Sequence, residues 1–153
     1  MKIGVISDTH NFLDPRVLEI FRGVEHILHG GDIGQRDLLS ELETIAPVTA
    51  VAGNTDDDPT YKPTAIVTLN ERKFLLHHIV TPGEFNQPIA RRIASEEPDV
   101  VVFGHTHKPY AQQFGKTLFL NPGSAGKGRF GLGRSVVLMD CGPDAITHEL
   151  IWL

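Results

Sequence analysis

Side chains that bind metal ions follow apolar runs at five places in this 153-residue chain. An Asp-x-His and a His-x-His segment each place two ligands on the same side of an extended segment, two residues apart. Ligands that follow the carboxyl ends of neighbouring parallel strands are expected to lie together at one edge of the sheet. The five segments are Ser7-Asp8-Thr9-His10, Gly30-Gly31-Asp32, Gly53-Asn54, Leu76-His77-His78 and Gly104-His105-Thr106-His107.

The apolar runs themselves have the length and the β-branched content of strands. Two helical patterns lie between the first three runs, one opening at Pro15 and one over residues 35–45, and a third covers residues 88–96. The order β-α-β-α-β predicts a parallel sheet with helical crossovers, whereas the closely spaced later strands should be largely antiparallel. The predicted strands are residues 3–6, 26–28, 48–52, 65–69, 74–76, 100–103, 117–120, 136–139 and 145–151.

Composition narrows the class of protein. With 153 residues, 41% of them hydrophobic, the chain is expected to form one globular domain over residues 1–153. Cys141 is the single cysteine, no apolar stretch has the length of a membrane span, and no signal peptide is visible. We therefore expect a cytoplasmic protein without membrane contact. The net charge of -5 argues against extended nucleic acid as a partner.

The ligand types favour particular ions. Imidazole, carboxylate and amide oxygen together suit Mn, Fe, Ni, Co or Zn better than Ca, which prefers shells of oxygen alone. Seven candidate ligands exceed one four-coordinate site and fit two divalent ions that share a bridging carboxylate. These residues are Asp8, His10, Asp32, Asn54, His77, His105 and His107.

The motifs, in this order, resemble those of the calcineurin-type metallophosphoesterases, and in particular their short prokaryotic phosphodiesterase branch. The turn Asn121-Pro122-Gly123-Ser124 is also typical of that branch. The resemblance implies an α/β (α+β) fold with two facing mixed β-sheets flanked by helices, a four-layer αββα sandwich. It further implies a phosphodiesterase that acts on a small phosphoester through a metal-bridging hydroxide, with two divalent ions and manganese as the first choice.

The resemblance also implies a role for each ligand. Asp32 and Asn54 are the expected catalytic residues, because the Asn54 amide can offer its oxygen to an ion and its NH2 group to a phosphate oxygen. The family pattern assigns one ion to Asp8, His10 and His107, the other ion to Asn54, His77 and His105, and the bridge between them to Asp32.

Two positions depart from the family pattern. Many members carry a histidine directly after Gly-Asn that can protonate the leaving group, whereas this chain has Thr55, whose hydroxyl is far too weak an acid at neutral pH. Esters with poor leaving groups should therefore react slowly. The branch usually reads His-Gly-His where this chain reads His77-His78-Ile79. Alignment on the preceding strand assigns the ligand role to His77, an exchange of the two histidines stays open, and an altered substrate pocket is expected.

Other interpretations of single residues stay open as well. Asp8 and Asp32 can cap helices, and Asn54 can occupy a left-handed turn. His29 can orient a metal ligand from behind or lie buried at a strand end. Three basic residues of the Gly-rich loop can contact phosphate or remain solvated: Lys127, Arg129 and Arg134.

The rival functional class is a metal-binding scaffold with little or no catalysis. A eukaryotic retromer subunit shares the family fold, serves mainly as a scaffold and has lost part of the catalytic set. This chain retains all seven ligand types, which favours an enzyme. Its C-terminal run over residues 146–153 can serve as an exposed edge strand in a homodimer.

Overall fold

Two five-stranded sheets make up most of the computed structural model, which describes residues 1–128 and 131–153. Three short helices connect or flank the strands in these described parts. In chain order the elements are β1 (Lys2–Ile6), α1 (Pro15–Ile20), β2 (His26–His29), α2 (Asp37–Glu43), β3 (Val48–Ala50), β4 (Thr64–Leu69), β5 (Arg72–His77), α3 (Ala90–Glu96), β6 (Val100–Val102), β7 (Tyr110–Phe114), β8 (Thr117–Asn121), β9 (Ser135–Cys141) and β10 (Ile146–Trp152).

The first sheet has the strand order β10-β9-β1-β2-β3. Strands β1, β2 and β3 run parallel, and α1 and α2 form the two crossovers between them. Pro15 occupies the first turn of α1, where the side chain of Asp14 accepts the N–H of Arg16, so the helix begins where a proline is tolerated. The predicted β-α-β-α-β order is confirmed.

The second sheet has the strand order β4-β5-β6-β8-β7. Its outer pairs, β4 with β5 and β7 with β8, are antiparallel, but its three central strands, β5, β6 and β8, run parallel. The expectation of a largely antiparallel second half is thus correct for the edges and for β9 and β10, and wrong for the centre of this sheet. Strand β7 was not predicted.

The sheets pack face to face, and side chains alternate between their two faces. In β5, Phe74 and Leu76 lie in the core between the sheets, while Leu75 faces the outer layer that includes Ile93 of α3. Helix α1 covers the outer face of the first sheet through Phe21 and its neighbours. The four-layer αββα sandwich is therefore confirmed. Each fully buried Leu or Phe contributes about 1.5–3 kcal/mol to stability, which lets the fold hold strained turns at its edge.

The helices of the described residues are too short and insufficiently apolar to cross a membrane.

Candidate metal centre

The turns that follow β1 and β2 lie side by side at the carboxyl ends of these strands. The backbone N–H of Asp8 donates to Gly31 O at 2.9 Å, and the N–H of His10 donates to Asp32 O at 2.9 Å. These bonds extend the parallel pairing of the two strands past their ends. Backbone hydrogen bonds thereby hold the two ligand-bearing turns together.

Five of the predicted ligands have a left-handed backbone. Their φ values are 53° for Asp8, 45° for His10, 52° for Asp32, 69° for His105 and 58° for His107. Residues with a Cβ rarely adopt this conformation, and each instance costs roughly 1–3 kcal/mol. Such strain often clusters at functional sites, where the surrounding structure holds it, although Asn70, Glu71 and Glu97 are also left-handed away from the ring.

The side chains of five residues close into a ring of nitrogen and oxygen atoms. His107 Nε2 lies 3.2 Å from Asp8 Oδ1 and 3.3 Å from His10 Nε2. Asp32 Oδ2 lies 3.6 Å from His10 Nε2 and 3.4 Å from His78 Nε2, and His78 Nε2 lies 4.0 Å from Asp8 Oδ1. Both carboxylates therefore reach a histidine on each side of the ring.

This ring contains two groups of three potential ligands, Asp8 with His10 and His107, and Asp8 with Asp32 and His78. Within each group the ligand atoms all lie within 4.8 Å of one another, close enough to bind a common ion. The first group is the one that the family pattern assigns to one ion.

His78 provides the test of whether a cation fits this ring. Its Nδ1 donates to Gly30 O at 2.7 Å, so Nε2 carries a lone pair and faces the two aspartates. Nε2 is buried and makes no hydrogen bond with the parts of the chain that the structure describes. A buried polar atom without a partner is costly, and a divalent cation would satisfy it, because neutral imidazole with carboxylate is a common ligand set.

The structure corrects the choice between His77 and His78. The geometry favours His78, and the ligand role stays a prediction: His77 turns away from the ring, and its Nδ1 lies 2.9 Å from Thr64 Oγ1 and 2.9 Å from Pro63 O. His78, only 3% exposed, takes the expected place of His77. The reason is the two-residue period of β5: Phe74 and Leu76 face the space between the sheets, and position 78 continues that face. The period was the signal that alignment on the strand overlooked.

Asn54 and His105 lie together at the exposed rim. His105 Nδ1 lies 2.9 Å from Asn54 Oδ1, and the ring of His105 lies 5.5 Å, centroid to centroid, from that of His78. The N–H of Thr55, the next residue after Asn54, donates to Asp32 Oδ1 at 2.9 Å. The structure therefore brings six of the seven predicted ligands together and leaves His77 outside.

Two glycines allow the strands to approach this closely. A Cβ at Gly53 would overlap the carboxylate of Asp32, and a Cβ at Gly104 would overlap the side chains of Ser7 and Asp8. Any other residue at these positions would push a ligand out of the ring. Glycine before a ligand is therefore a packing requirement of the site.

Opposing influences set the pKa values of the ring. Burial raises the pKa of Asp32, but His78 and the N–H of Thr55 outweigh it and hold that pKa well below its usual value. Burial also raises the pKa of Asp8, and there the hydroxyl of Ser7, at 2.7 Å, offsets it only in part. Burial lowers the pKa of His78, yet Asp32 and Asp8 raise it overall. The ring thus concentrates negative charge that favours a cation.

His29 is fully buried behind the ring, and burial lowers its pKa to about 3. Its Nε2 lies 3.0 Å from Thr9 Oγ1, and its Nδ1 accepts the N–H of Gly31 at 3.2 Å. It contacts the segments that carry Asp8 and Asp32 rather than a ligand side chain. It is therefore both buried at a strand end and attached to the ligand turns.

The basic residues of the Gly-rich loop have other contacts. Arg134 pairs with Asp14, and its guanidinium lies 5.2 Å from the centre of the Phe12 ring. Lys127 Nζ lies 5.7 Å from the centre of the same ring. The suggested phosphate contact of Arg129 lies outside the described residues.

Asp56, expected in a surface loop, binds the backbone of two ligand segments. Its carboxylate accepts the N–H groups of Ile33 at 3.1 Å, Gly34 at 2.9 Å and Gly53 at 2.8 Å. The spacing of the motifs contains no signal for this role, which depends on how the loops fold back.

A groove of about 480 Å³ opens elsewhere, between α3 and the strands β7 and β8. Phe85, Ile93 and Phe119 are among its lining residues, and none of the seven predicted ligands is. The chemistry of the chain is therefore concentrated at the polar ring and not in this apolar groove.

Comparison with known proteins agrees with this geometry. The sequence profile of the calcineurin-like phosphoesterase superfamily domain matches residues 1–144. A probable metallophosphoesterase from Methanothermobacter thermautotrophicus is 39% identical over 137 residues, which cover 81% of this chain and 77% of that protein. The solved structure of an archaeal phosphodiesterase is 27% identical, with a TM-score of 0.82 and coverage of 100% of both chains. Other similar proteins, from archaea and Escherichia coli, are named phosphodiesterases.

The fold also occurs in proteins of another name. Vps29 from Entamoeba histolytica, solved in complex with zinc, is 22% identical, with a TM-score of 0.78 and coverage of 99% of both chains. At this identity the likeness concerns the fold alone.

The chain belongs to the calcineurin-like phosphoesterase superfamily, as its motifs indicate. It is a phosphoric ester hydrolase of a family that uses divalent metals.

Proposed function

We propose that the chain is a phosphodiesterase that works with two divalent ions held at the ring. Asp8, His10 and His107 would hold one ion. The other would be held by His78, Asn54 and His105, with His78 in the role first expected of His77. Asp32 would bridge the two, since its Oδ2 faces both His10 and His78. The observation that carries the proposal is the ring itself, with the buried and unsatisfied Nε2 of His78 on its inner side.

The residues of the chain would divide the work of hydrolysis. When bound, the ions would supply a nucleophilic hydroxide at neutral pH and neutralise charge on the phosphoryl oxygens. Asn54 stands at the exposed rim, where its amide NH2 can donate to a phosphate oxygen of the incoming ester. The buried carboxylates of Asp8 and Asp32 fix the ligand geometry and exclude water from the inner side of the ring.

The exposure of the rim indicates the kind of substrate, and the ligand types indicate the metal. Asn54, Thr55 and His105 are exposed, so the site is open to a small phosphoester. Manganese is the first choice of metal, and Fe, Ni, Co or Zn also suit these ligands, with availability selecting among them. We expect the protein to work in the cytoplasm, where its single cysteine would stay reduced.

The experiment that tests the proposal measures metal content and turnover together. Purified protein incubated with Mn and freed of excess should hold about two ions per chain and hydrolyse bis(p-nitrophenyl) phosphate. Asp32→Ala should abolish both. Asp57→Ala, which removes an exposed carboxylate from the neighbouring loop, should change neither. Equal turnover in wild type and Asp32→Ala would contradict the proposal.

The alternative is a metal-binding scaffold with little catalysis, which the fold shared with Vps29 also fits. The same experiment separates the two functions. Two ions per chain without hydrolysis of any tested diester would favour the scaffold. Hydrolysis that requires Asp32 would favour the enzyme.

We also propose that two copies of the chain pair through β10. This strand lies at the edge of the first sheet, spans seven residues and ends in Trp152, which is 60% exposed. Edges of this length readily pair with another strand. Light scattering on the full chain should give the mass of a dimer, and a chain truncated after Thr147 should give that of a monomer.

A further inference from the structure

The buried pair of His29 and Thr9 forms a hydrogen-bond chain whose directions are all determined. The N–H of Gly31 donates to His29 Nδ1 at 3.2 Å, so Nδ1 carries the lone pair and Nε2 carries the proton. Nε2–H then donates to Thr9 Oγ1, 3.0 Å away. The Thr9 hydroxyl in turn donates to Ile33 O at 2.9 Å. The side chain of Thr9 thus contacts both the side chain of His29 and the backbone of the turn that carries Asp32.

This chain encloses three of the strained ligands. Thr9 lies between Asp8 and His10, whose φ values are 53° and 45°. Its contacts on the other turn, Gly31 through His29 and Ile33 directly, flank Asp32, whose φ is 52°. A left-handed residue returns to its relaxed conformation unless its surroundings hold it. The hydrogen-bond chain is attached on both sides of Asp32, at Gly31 and Ile33, and between Asp8 and His10, at Thr9.

We propose that His29 and Thr9 are positioning residues that hold Asp8, His10 and Asp32 in the geometry that binds metal. The proposal rests on the proposed metal site. Neither residue touches an ion or a substrate. They act by giving the two turns a single mutual arrangement, in addition to the backbone bonds from Asp8 to Gly31 and from His10 to Asp32.

A second histidine–threonine pair on the same strand provides a matched control. His26 Nε2 lies 2.8 Å from Thr49 Oγ1. His26 begins β2, at the end opposite the ligand turn, and Thr49 lies on β3. The two pairs share residue types and a hydrogen bond of 2.8–3.0 Å. The pair of His29 and Thr9 is buried and joins the ligand turns, whereas the pair of His26 and Thr49 is half-buried and joins neither. The same substitution can therefore be made in both.

The experiment compares Thr9→Val with Thr49→Val and uses Thr9→Ser as the rescue. Valine keeps the shape of threonine and removes the hydroxyl, while serine restores the hydroxyl without the methyl group. Titration calorimetry of the metal-free proteins with Mn gives the affinity. We expect Thr9→Val to weaken Mn binding by about 10–100-fold, the usual effect of losing a group that supports a metal ligand. Thr9→Ser and Thr49→Val should bind Mn as the wild type does.

A second readout does not depend on metal. In the NMR spectrum of the metal-free protein, the imidazole N–H of His29 should be protected from exchange in the wild type and in Thr9→Ser. In Thr9→Val it should be lost or shifted. If Thr9→Val folds poorly, His29→Gln tests the same hydrogen bond by changing its other partner. A glutamine can meet one of the two bonds that the imidazole makes, and we expect a smaller loss of Mn affinity.

The outcomes separate this proposal from the function on which it rests. If the wild type binds no Mn, the proposed metal site is wrong and the positioning role falls with it. If the wild type binds Mn and a folded Thr9→Val binds it equally well, the positioning role alone is wrong. Equal losses in Thr9→Val and Thr49→Val would also reject it, since they would reflect general destabilisation.

Discussion

The inner and outer parts of the site differ in how the fold holds them. Asp8, Asp32, His78 and His107 are buried and reach one another through short contacts across the ring. Asn54 and His105 are exposed and hold one another by a single hydrogen bond of 2.9 Å. The inner ligands are thus arranged by the protein before any ion arrives, whereas water or an ion can replace the contact that arranges the outer pair.

Asp8, in the inner part, carries a cost that the exposed Asn54 does not. Burial raises the pKa of Asp8, so its carboxylate is unfavourable in the metal-free protein, and the backbone of Asp8 is left-handed as well. A bound ion would offset both penalties. Asp8 should therefore show a trade-off between the stability of the metal-free chain and its function, and the exposed Asn54 should not.

The largest effect is expected from Asp8→Asn, because Asp8 belongs to both ligand groups of the ring. The change removes a negative charge from the ring and the carboxylate ligand of the ion assigned to Asp8, His10 and His107, a loss of several kcal/mol that corresponds to about 10³-fold or more in kcat/KM. The metal-free variant should nevertheless melt at a higher temperature than the metal-free wild type at pH 7. The reason is that a raised pKa means that folding works against the ionised carboxylate.

Activity on bis(p-nitrophenyl) phosphate and thermal melts in the presence of a chelator measure the two effects of Asp8→Asn. Glu41→Gln, an exposed change on α2, controls for the loss of one negative charge. A variant that loses both activity and metal-free stability would contradict the trade-off.

The next largest effect, a loss of Mn affinity, is expected at His78 and not at its neighbour His77. His78→Gln should lower Mn affinity by at least about 100-fold, since one partner of a buried and charged cluster is lost at a cost of roughly 3 kcal/mol or more. His77→Gln should leave the affinity unchanged, because His77 faces Thr64 and Pro63. Titration of both variants with Mn makes the comparison, and the reverse order of effects would restore His77 as the ligand.

These histidines show how much of the site could be predicted from the sequence. Six of the seven ligands predicted from the sequence lie together at one edge, because they follow the carboxyl ends of strands, which meet at that edge. The choice between His77 and His78 depends on which face of β5 is buried. That face could have been identified from Phe74 and Leu76. The three backbone hydrogen bonds of Asp56 could not have been predicted, because they depend on the path of the loop after Gly53.

The fold, like the site, was predictable from the sequence in some parts and not in others. The parallel β-α-β-α-β unit has strong periodic patterns and was predictable. Strand β7 was missed because its segment, Tyr110–Phe114, is mostly exposed, and an exposed edge strand needs no apolar run. Parallel pairing of β5, β6 and β8 was missed because the loop and the short helix α3 between β5 and β6 conceal a crossover.

A moderate effect is expected at the outer pair. Asn54→Ala removes one proposed ligand at the exposed rim. With excess Mn to keep both ions bound, the loss is that of a hydrogen bond to a charged group, about 1.5 kcal/mol, which corresponds to roughly tenfold in kcat. The inner ligands should still hold one ion. Metal analysis should therefore find about one tightly bound ion per chain and unchanged thermal stability of the metal-free protein. Loss of both ions would show that the two parts of the site are not independent.

The smallest effect concerns Thr55, which stands at the rim beside Asn54 where many relatives carry a histidine. In the wild type, rates for a series of aryl and alkyl diesters should fall steeply as the pKa of the leaving group rises, because the Thr55 hydroxyl is far too weak an acid to protonate it.

Thr55→His should flatten that slope, with a gain of only a few-fold for alkyl esters, well below the 10²–10⁴-fold of a fully developed general acid. The gain is limited because the carboxylate of Asp56, the nearest candidate to orient such a histidine in the sequence, already accepts the N–H groups of Ile33, Gly34 and Gly53. The outer part of the site would thus acquire an acid without the support that the inner ligands receive. A flat slope in the wild type would show instead that the leaving group is stabilised without a proton donor at position 55.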